Sequence, residues 1–184
     1  MAKLPPFTAD GLLPPGEYEL NFKELRESML VVGPGTAYPN WDAHWRRQLV
    51  DNLSILVRQL WEVGITQIFI GGSFVEDVDH PNDIDGYFVC ELVSFTTGKL
   101  QRKLNRLDPY QIWTGEPSAL QPDEKFSQKK LPMWHRYRVE LYPDYGQGSG
   151  LLGERGRELS FAEAFRLSKK GSQPRGIVKV RRGP

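Results

Sequence analysis

A single cysteine, Cys90, leaves the chain unable to form an internal disulfide, and one lone thiol fits a reducing compartment. Histidine is scarce too: His44, His80 and His135 are scattered, and with one cysteine they do not make the clustered ligands of a zinc site. No apolar run approaches the roughly 18–20 residues of a membrane helix. The opening MAKLPPFTADGLLPPGEYEL has one Lys but no continuous apolar core after it, unlike a secretory signal. Repeats and low-complexity tracts are absent. These absences lead us to expect a cytoplasmic protein with no membrane contact.

What is present is ordinary in amount and uneven in placement. The 184 residues suit a single domain, 1–184, with an extended N-terminal segment (1–20) and a basic C-terminal strand and tail (171–184). Apolar residues are 39% and charged residues 26%, which excludes neither face of a soluble fold and argues against disorder. The formal charge is only +1, yet acidic residues gather from Glu76 to Asp85. Arg166, Lys169, Lys170, Arg175, Lys179, Arg181 and Arg182 follow one another without an acidic residue among them. Such a run is either a solvated face or a phosphate-binding surface for nucleotide or RNA.

Periodicity places the elements. Asn21 caps a short helix with Phe22, Leu25 and Met29 on one face. From Trp41 to Val63, Trp41, Trp45, Leu49, Leu53, Leu56, Leu60 and Val63 recur at steps of three and four, predicting a long helix stopped by Gly64. The two tryptophans fit core packing better than a base-stacking platform. Ile65–Ile70 and Asp83–Cys90 read as strands, the second buried at the centre of a sheet. A helix is expected over Lys99–Leu107, while 108–133 is polar and unassigned, with Trp113 its one strong core candidate. Arg136–Tyr142 alternates as a third strand: Tyr137, Val139 and Leu141 on one face, Arg138, Glu140 and Tyr142 on the other. Gly146–Gly156 is expected to be a mobile loop; it lacks the Gly-Lys-Ser/Thr ending of a phosphate loop. Ser160 and Glu163 form a capping box, and Gly176–Val180 is a closing strand. The class is α/β (α+β): a small mixed sheet with flanking helices.

The stretch GGSFVEDVDHPNDIDG, Gly71–Gly86, carries the chemistry. A strand ends at Gly71, Gly72 and Ser73, where the backbone turns tightly and approaches a ligand closely. After a polar loop, Asp83 and Asp85 re-enter the sheet on one face with Ile84 on the other. Two adjacent carboxylates repel, and a hard divalent cation offsets that repulsion. Two such ions about 3.5–4 Å apart would hold the attacking and leaving oxygens of a phosphoryl displacement.

This pattern resembles the signature of the DNA-polymerase-β-type nucleotidyltransferase superfamily, in its minimal branch. Gly72 and Ser73 match its Gly-Ser pair, and Asp83 and Asp85 its first two metal ligands. The contexts FIGGSFV, PNDIDGYF, VELYPDYG and GIVKV are similar to an uncharacterised bacterial and phage family of nucleotidyltransferase-like proteins. The resemblance implies a nucleotidyltransferase-type fold, Mg²⁺ (or Mn²⁺), an NTP donor and an acceptor that is RNA, protein or a small molecule. It also implies a possible cognate protein partner, since several members act as toxins or antitoxins, some in phage defence. It calls for a third carboxylate on a neighbouring strand. Glu140 is the choice, as metal ligand and general base, with Asp144 as the fallback.

Two departures stand out. Phe74, Val75, Glu76 and Asp77 occupy a turn where a basic residue is common, so phosphate-binding cations are expected from Arg166, Lys169 and Lys170. The third ligand is Glu where Asp is commoner. A degenerate member that binds a partner or RNA without catalysis is the alternative. The enzymatic reading requires the acidic oxygens to converge, without a lysine or arginine closing the gap.

Overall fold

The computed structural model describes residues 4–153, 156–168 and 173–183. Strand β1 (Glu17–Leu20) leads into helix α1 (Phe22–Glu27), where Asn21 and Glu24 form a reciprocal capping box. Helix α2 (Met29–Val32) follows, and then α3 (Ala43–Glu62), capped by Asp42 and ended by Gly64 at φ +88°. Trp41 stands before this helix rather than in it. Leu49, Leu53, Leu56 and Leu60 are fully buried, as the stripe predicts.

Strand β2 (Ile68–Gly71) runs into a single 3-10 turn, Gly72–Val75, and β3 (Ile84–Val89) returns antiparallel to β2. Helices α4 (Leu92–Thr96) and α5 (Lys99–Leu107) come next. The unassigned stretch holds a hairpin, β4 (Gln121–Asp123) and β5 (Phe126–Lys130), and the start of helix α6 (Pro132–Tyr137). Strand β6 (Val139–Asp144) is therefore shorter than expected at its start. Tyr137 belongs to the helix, and Arg138 at φ +53° makes the bend between them. The glycine-rich stretch is not a bare loop: β7 (Gly148–Leu152) and β8 (Glu158–Ser160) pair as a hairpin. Helix α7 (Phe161–Phe165) carries the Ser160/Glu163 capping box, and β9 (Ile177–Val180) closes the chain.

The main sheet is mixed and five-stranded, in the order β1-β9-β2-β3-β6, so the α/β class is as expected. The N-terminal segment does more than lie over the domain. Glu17–Leu20 pairs in parallel with Ile177–Val180, and Leu13 and Leu20 are fully buried. Strand alternation divides the side chains between two faces. Ile68, Ile70, Ile84, Phe88, Val139, Leu141, Val178 and Val180 join the α3 leucines in the main core. Phe69, Tyr87 and Ile177 form a smaller cluster on the opposite face, under Tyr142, Phe161 and Phe165. Among the described residues no helix is long and apolar enough to cross a membrane.

Candidate functional site

The second face carries the polar residues. Parallel pairing of β3 with β6 sets Asp85 beside Glu140, and antiparallel pairing of β2 with β3 sets Gly71 beside Asp85. Asp83 precedes β3 by one residue. Oxygens from Asp83, Asp85 and Glu140 lie within 4.8 Å of one another, so the three expected carboxylates do converge. Asp83 and Glu140 are buried, at 8% and 3% exposure.

Gly72 has φ +65°, and a Cβ on it would stand 2.6 Å from Asp85 Oδ2. Only glycine gives the turn both that dihedral and that closeness to the carboxylate. Ser73 lines a cleft of about 370 Å³ with Asn82, Asp83, Asp85, Lys130 and Arg175.

Helix α3 holds this loop at both ends. The fully buried Arg46 guanidinium donates to the carbonyls of Leu30, Phe74, Glu76 and Val78 at 2.5–3.2 Å, and lies 3.8 Å from the Trp41 ring centroid. Burial pushes its pKa down to about 9, with Asp79 and Asp42 opposing, so it stays charged at neutral pH. From the preceding position, Trp45 Nε1 donates to the Pro81 carbonyl at 2.6 Å, and its ring stacks on His80. His80 in turn meets Asp42 at 2.9 Å. His80 is thus a loop anchor.

The acidic turn is neutralised from within. Glu76 is buried, paired with Arg175 and accepting from Ser168 Oγ at 3.1 Å. The cations lining the cleft are therefore Arg175 and Lys130. Arg166 does not line it; it pairs with Glu17 at 2.8 Å, because β1 places that carboxylate beside the end of α7. Lys169 and Lys170 lie outside the described residues. Lys179 pairs with Glu19 and Arg181 with Glu24. Much of the basic C-terminal segment is thereby matched to the acidic N-terminal one.

Two residues that periodicity did not single out reach the carboxylates, Lys130 within the unassigned stretch and Trp134 just beyond it. Trp134 Nε1 donates to Asp83 Oδ2 at 2.7 Å from a fully buried ring. Lys130 Nζ, on β5, lies 2.8 Å from Glu140 Oε2 and 3.5 Å from Asp83 Oδ2. Burial works against the charge on Lys130. The Glu140 hydrogen bond and charge, followed by Asp83 and Asp85, outweigh it and hold its pKa above the usual lysine value. The signal for Trp134 was Pro132 opening a helix with Met133, Trp134 and Tyr137 inward. Lys130 had no sequence signal.

A family model matches residues 5–181, and its description is a family of unknown function, DUF6932. The chain belongs to that family. No curated protein and no solved structure matches this DUF6932 chain.

The carboxylates converge as the enzymatic reading requires, but a lysine stands in the gap against its second condition, so a divalent cation suits the donor set only with Lys130 turned aside. Three hard carboxylate oxygens converge, the side-chain-free Gly72 lets the turn close tightly against Asp85, and Lys130 offers one positive charge to the three carboxylates. Lysine carries that charge on a flexible four-carbon stem that can turn aside.

Proposed function

We propose that this protein is a metal-dependent nucleotidyltransferase that moves a nucleotidyl group from an NTP to an acceptor. The observation that carries this reading is the convergence of Asp83, Asp85 and Glu140 within 4.8 Å, directly beside the Gly72–Ser73 turn. Asp83, Asp85 and Glu140 would hold Mg²⁺ (or Mn²⁺). When bound, the metal supplies charge neutralisation for the triphosphate and for the oxygens that form and break bonds.

The protein's own groups do the rest. Ser73, at the tight turn, and Arg175, at the cleft wall, face the donor's phosphates. Glu140 accepts the proton of the acceptor hydroxyl as its oxygen bonds to the α-phosphorus. The bond from that phosphorus to the bridging oxygen breaks, and pyrophosphate leaves with the electron pair. Trp134 orients Asp83, and the α3 contacts through Trp45 and Arg46 keep the loop between the turn and Asp83 in place. A reducing cytoplasmic setting is part of this reading.

Incubation with each labelled NTP, Mg²⁺ and cell extract tests it. Wild type should label an acceptor, and Asp83→Asn or Asp85→Asn should abolish labelling. Equal labelling by these variants, or none by wild type, sinks the reading.

Lys130 favours a second reading. If its ammonium permanently neutralises Glu140 and Asp83, the site is a structural ion cluster and the protein binds a cognate protein or RNA instead. Electron paramagnetic resonance of added Mn²⁺ separates the two. Micromolar binding to wild type that is lost in Asp85→Asn supports the enzyme, and its absence supports the ion cluster.

A further inference from the structure

Strand β6 is the edge of the main sheet, and a groove of about 450 Å³ runs along it, a size typical of small-molecule sites. Its walls are largely apolar, with Leu100, Leu104, Trp113, Met133, Leu141 and Tyr145 among them. Two ring pairs stiffen it: Phe88 meets Trp113 edge-on at 6.0 Å, and Phe95 stacks on Tyr145 at 4.8 Å. At one end the groove reaches Glu140 and Lys130. Gln128 and Lys130 line both this groove and the Ser73 cleft, so the two chambers meet at the carboxylates.

A free strand edge often takes a peptide as an added strand, but this one is closed to it. The Leu141 N–H is directed to Met133 Sδ at 3.2 Å. Pro143, two residues on and on the same side of the strand, has no N–H to offer. The few charged groups of the groove, Lys129, Lys130 and Glu140, leave its apolar body unsuited to an RNA backbone. What remains complementary is a small, neutral molecule with a flat apolar body and one hydroxyl.

We infer that the β6 groove is the acceptor site, taking a small neutral aromatic alcohol or phenol whose hydroxyl points to Glu140. This rests on the nucleotidyl-transfer reading and supplies its substrate class. The acceptor oxygen bonds to the α-phosphorus of the NTP, the proton passes to the Glu140 carboxylate, and the bond to the departing pyrophosphate breaks. The product is a phosphodiester of the acceptor. Donor and acceptor then occupy separate chambers that share Gln128 and Lys130, the acceptor's chamber lined by Glu140 and the donor's by Asp83 and Asp85.

Saturation-transfer NMR with 2-naphthol as probe tests the groove without nucleotide or metal. Gly115 lines the groove with open space around its missing Cβ, so Gly115→Trp obstructs it without disturbing the fold. Gln101→Trp does so from helix α5, which also lines the groove. Wild type and Asp83→Asn should both bind 2-naphthol, and each tryptophan variant should weaken binding at least about tenfold. No binding to wild type, or undiminished binding to both tryptophan variants, overturns the assignment. Displacement of the probe by adenosine also overturns it, by making the groove the donor's nucleobase site. None of these results depends on catalysis, so failure of the acceptor site is distinguishable from failure of nucleotidyl transfer.

Discussion

Lys130 Nζ stands 2.8 Å from Glu140 Oε2, so a cation supplied by the chain itself already serves the carboxylate cluster. A divalent ion bound as proposed would compete with Lys130 for the same oxygens, and the lysine side chain would have to turn aside for it.

Replacing this lysine should therefore strengthen metal binding. Lys130→Met keeps most of the stem's packing and removes the charge. Mn²⁺ affinity, measured by titration calorimetry, should rise at least about tenfold, equivalent to ~1.4 kcal/mol. Thermal stability without metal should fall, because three carboxylates are left facing one another. Unchanged or weaker Mn²⁺ binding would mean that Lys130 assists the ion instead of competing with it.

Gly72 has no latitude. A methyl group there meets Asp85 Oδ2 at 2.6 Å and Asp85 Cβ at 3.0 Å, at a φ of +65° that side chains disfavour. Gly72→Ala should cost about 1–2 kcal/mol from the left-handed backbone alone. It should also displace Asp85 and lower Mn²⁺ affinity. Gly115→Ala, in open space, is the matched control and should change neither melting temperature nor metal binding.

Cys90 should be chemically quiet. Burial first, then the nearby Asp144 charge, pushes its thiol from an ordinary value near 9 up to about 11. A folded-state pKa raised above the unfolded one contributes stability below about pH 9, and that contribution is lost as pH rises through about 11. At pH 8 the thiolate fraction is about 100-fold smaller than for an unshifted thiol. Iodoacetamide should alkylate the native protein far more slowly than the urea-unfolded chain, with the difference narrowing towards pH 11. Equal rates at pH 8 would contradict the burial of this group.

The carboxylates were legible because two-residue strand alternation fixes which side chains share a face. For Asp83 and Asp85 the strand assignment sufficed; a third carboxylate was implied by the family resemblance, alternation favoured Glu140 over Asp144, and a one-residue slip would have buried Glu140 in the main core. The start of β6 was misread because Tyr137, Val139 and Leu141 alternate as well as strand residues do. The helix signal from Pro132 competed with that pattern, and the left-handed Arg138 hid the break. Lys130 and Trp134 reach Asp83 across 47 and 51 residues of chain, contacts that no local periodicity encodes. The same holds for Trp45, whose helical spacing announced a packed face but not a bond to the Pro81 carbonyl, and for Arg46, which lies off the predicted stripe and is nonetheless fully buried on loop carbonyls.

Trp134 offers the sharpest separation of site from scaffold. Its Nε1–H is the 2.7 Å donor to Asp83 Oδ2, whereas Trp113 Nε1–H donates at 2.6 Å to Gln59, in the main core. Both indoles are buried, and each bond is lost when phenylalanine replaces the ring. Trp113→Phe and Trp134→Phe should each lose about 1–3 kcal/mol of stability in urea unfolding. Only Trp134→Phe leaves the proposed metal ligand Asp83 without its indole donor. Loss of such an outer partner typically costs 10–100-fold in metal affinity, so Mn²⁺ should bind Trp134→Phe at least about tenfold more weakly and Trp113→Phe as tightly as wild type. If both variants keep wild-type affinity, Asp83 is not a ligand held in place by Trp134.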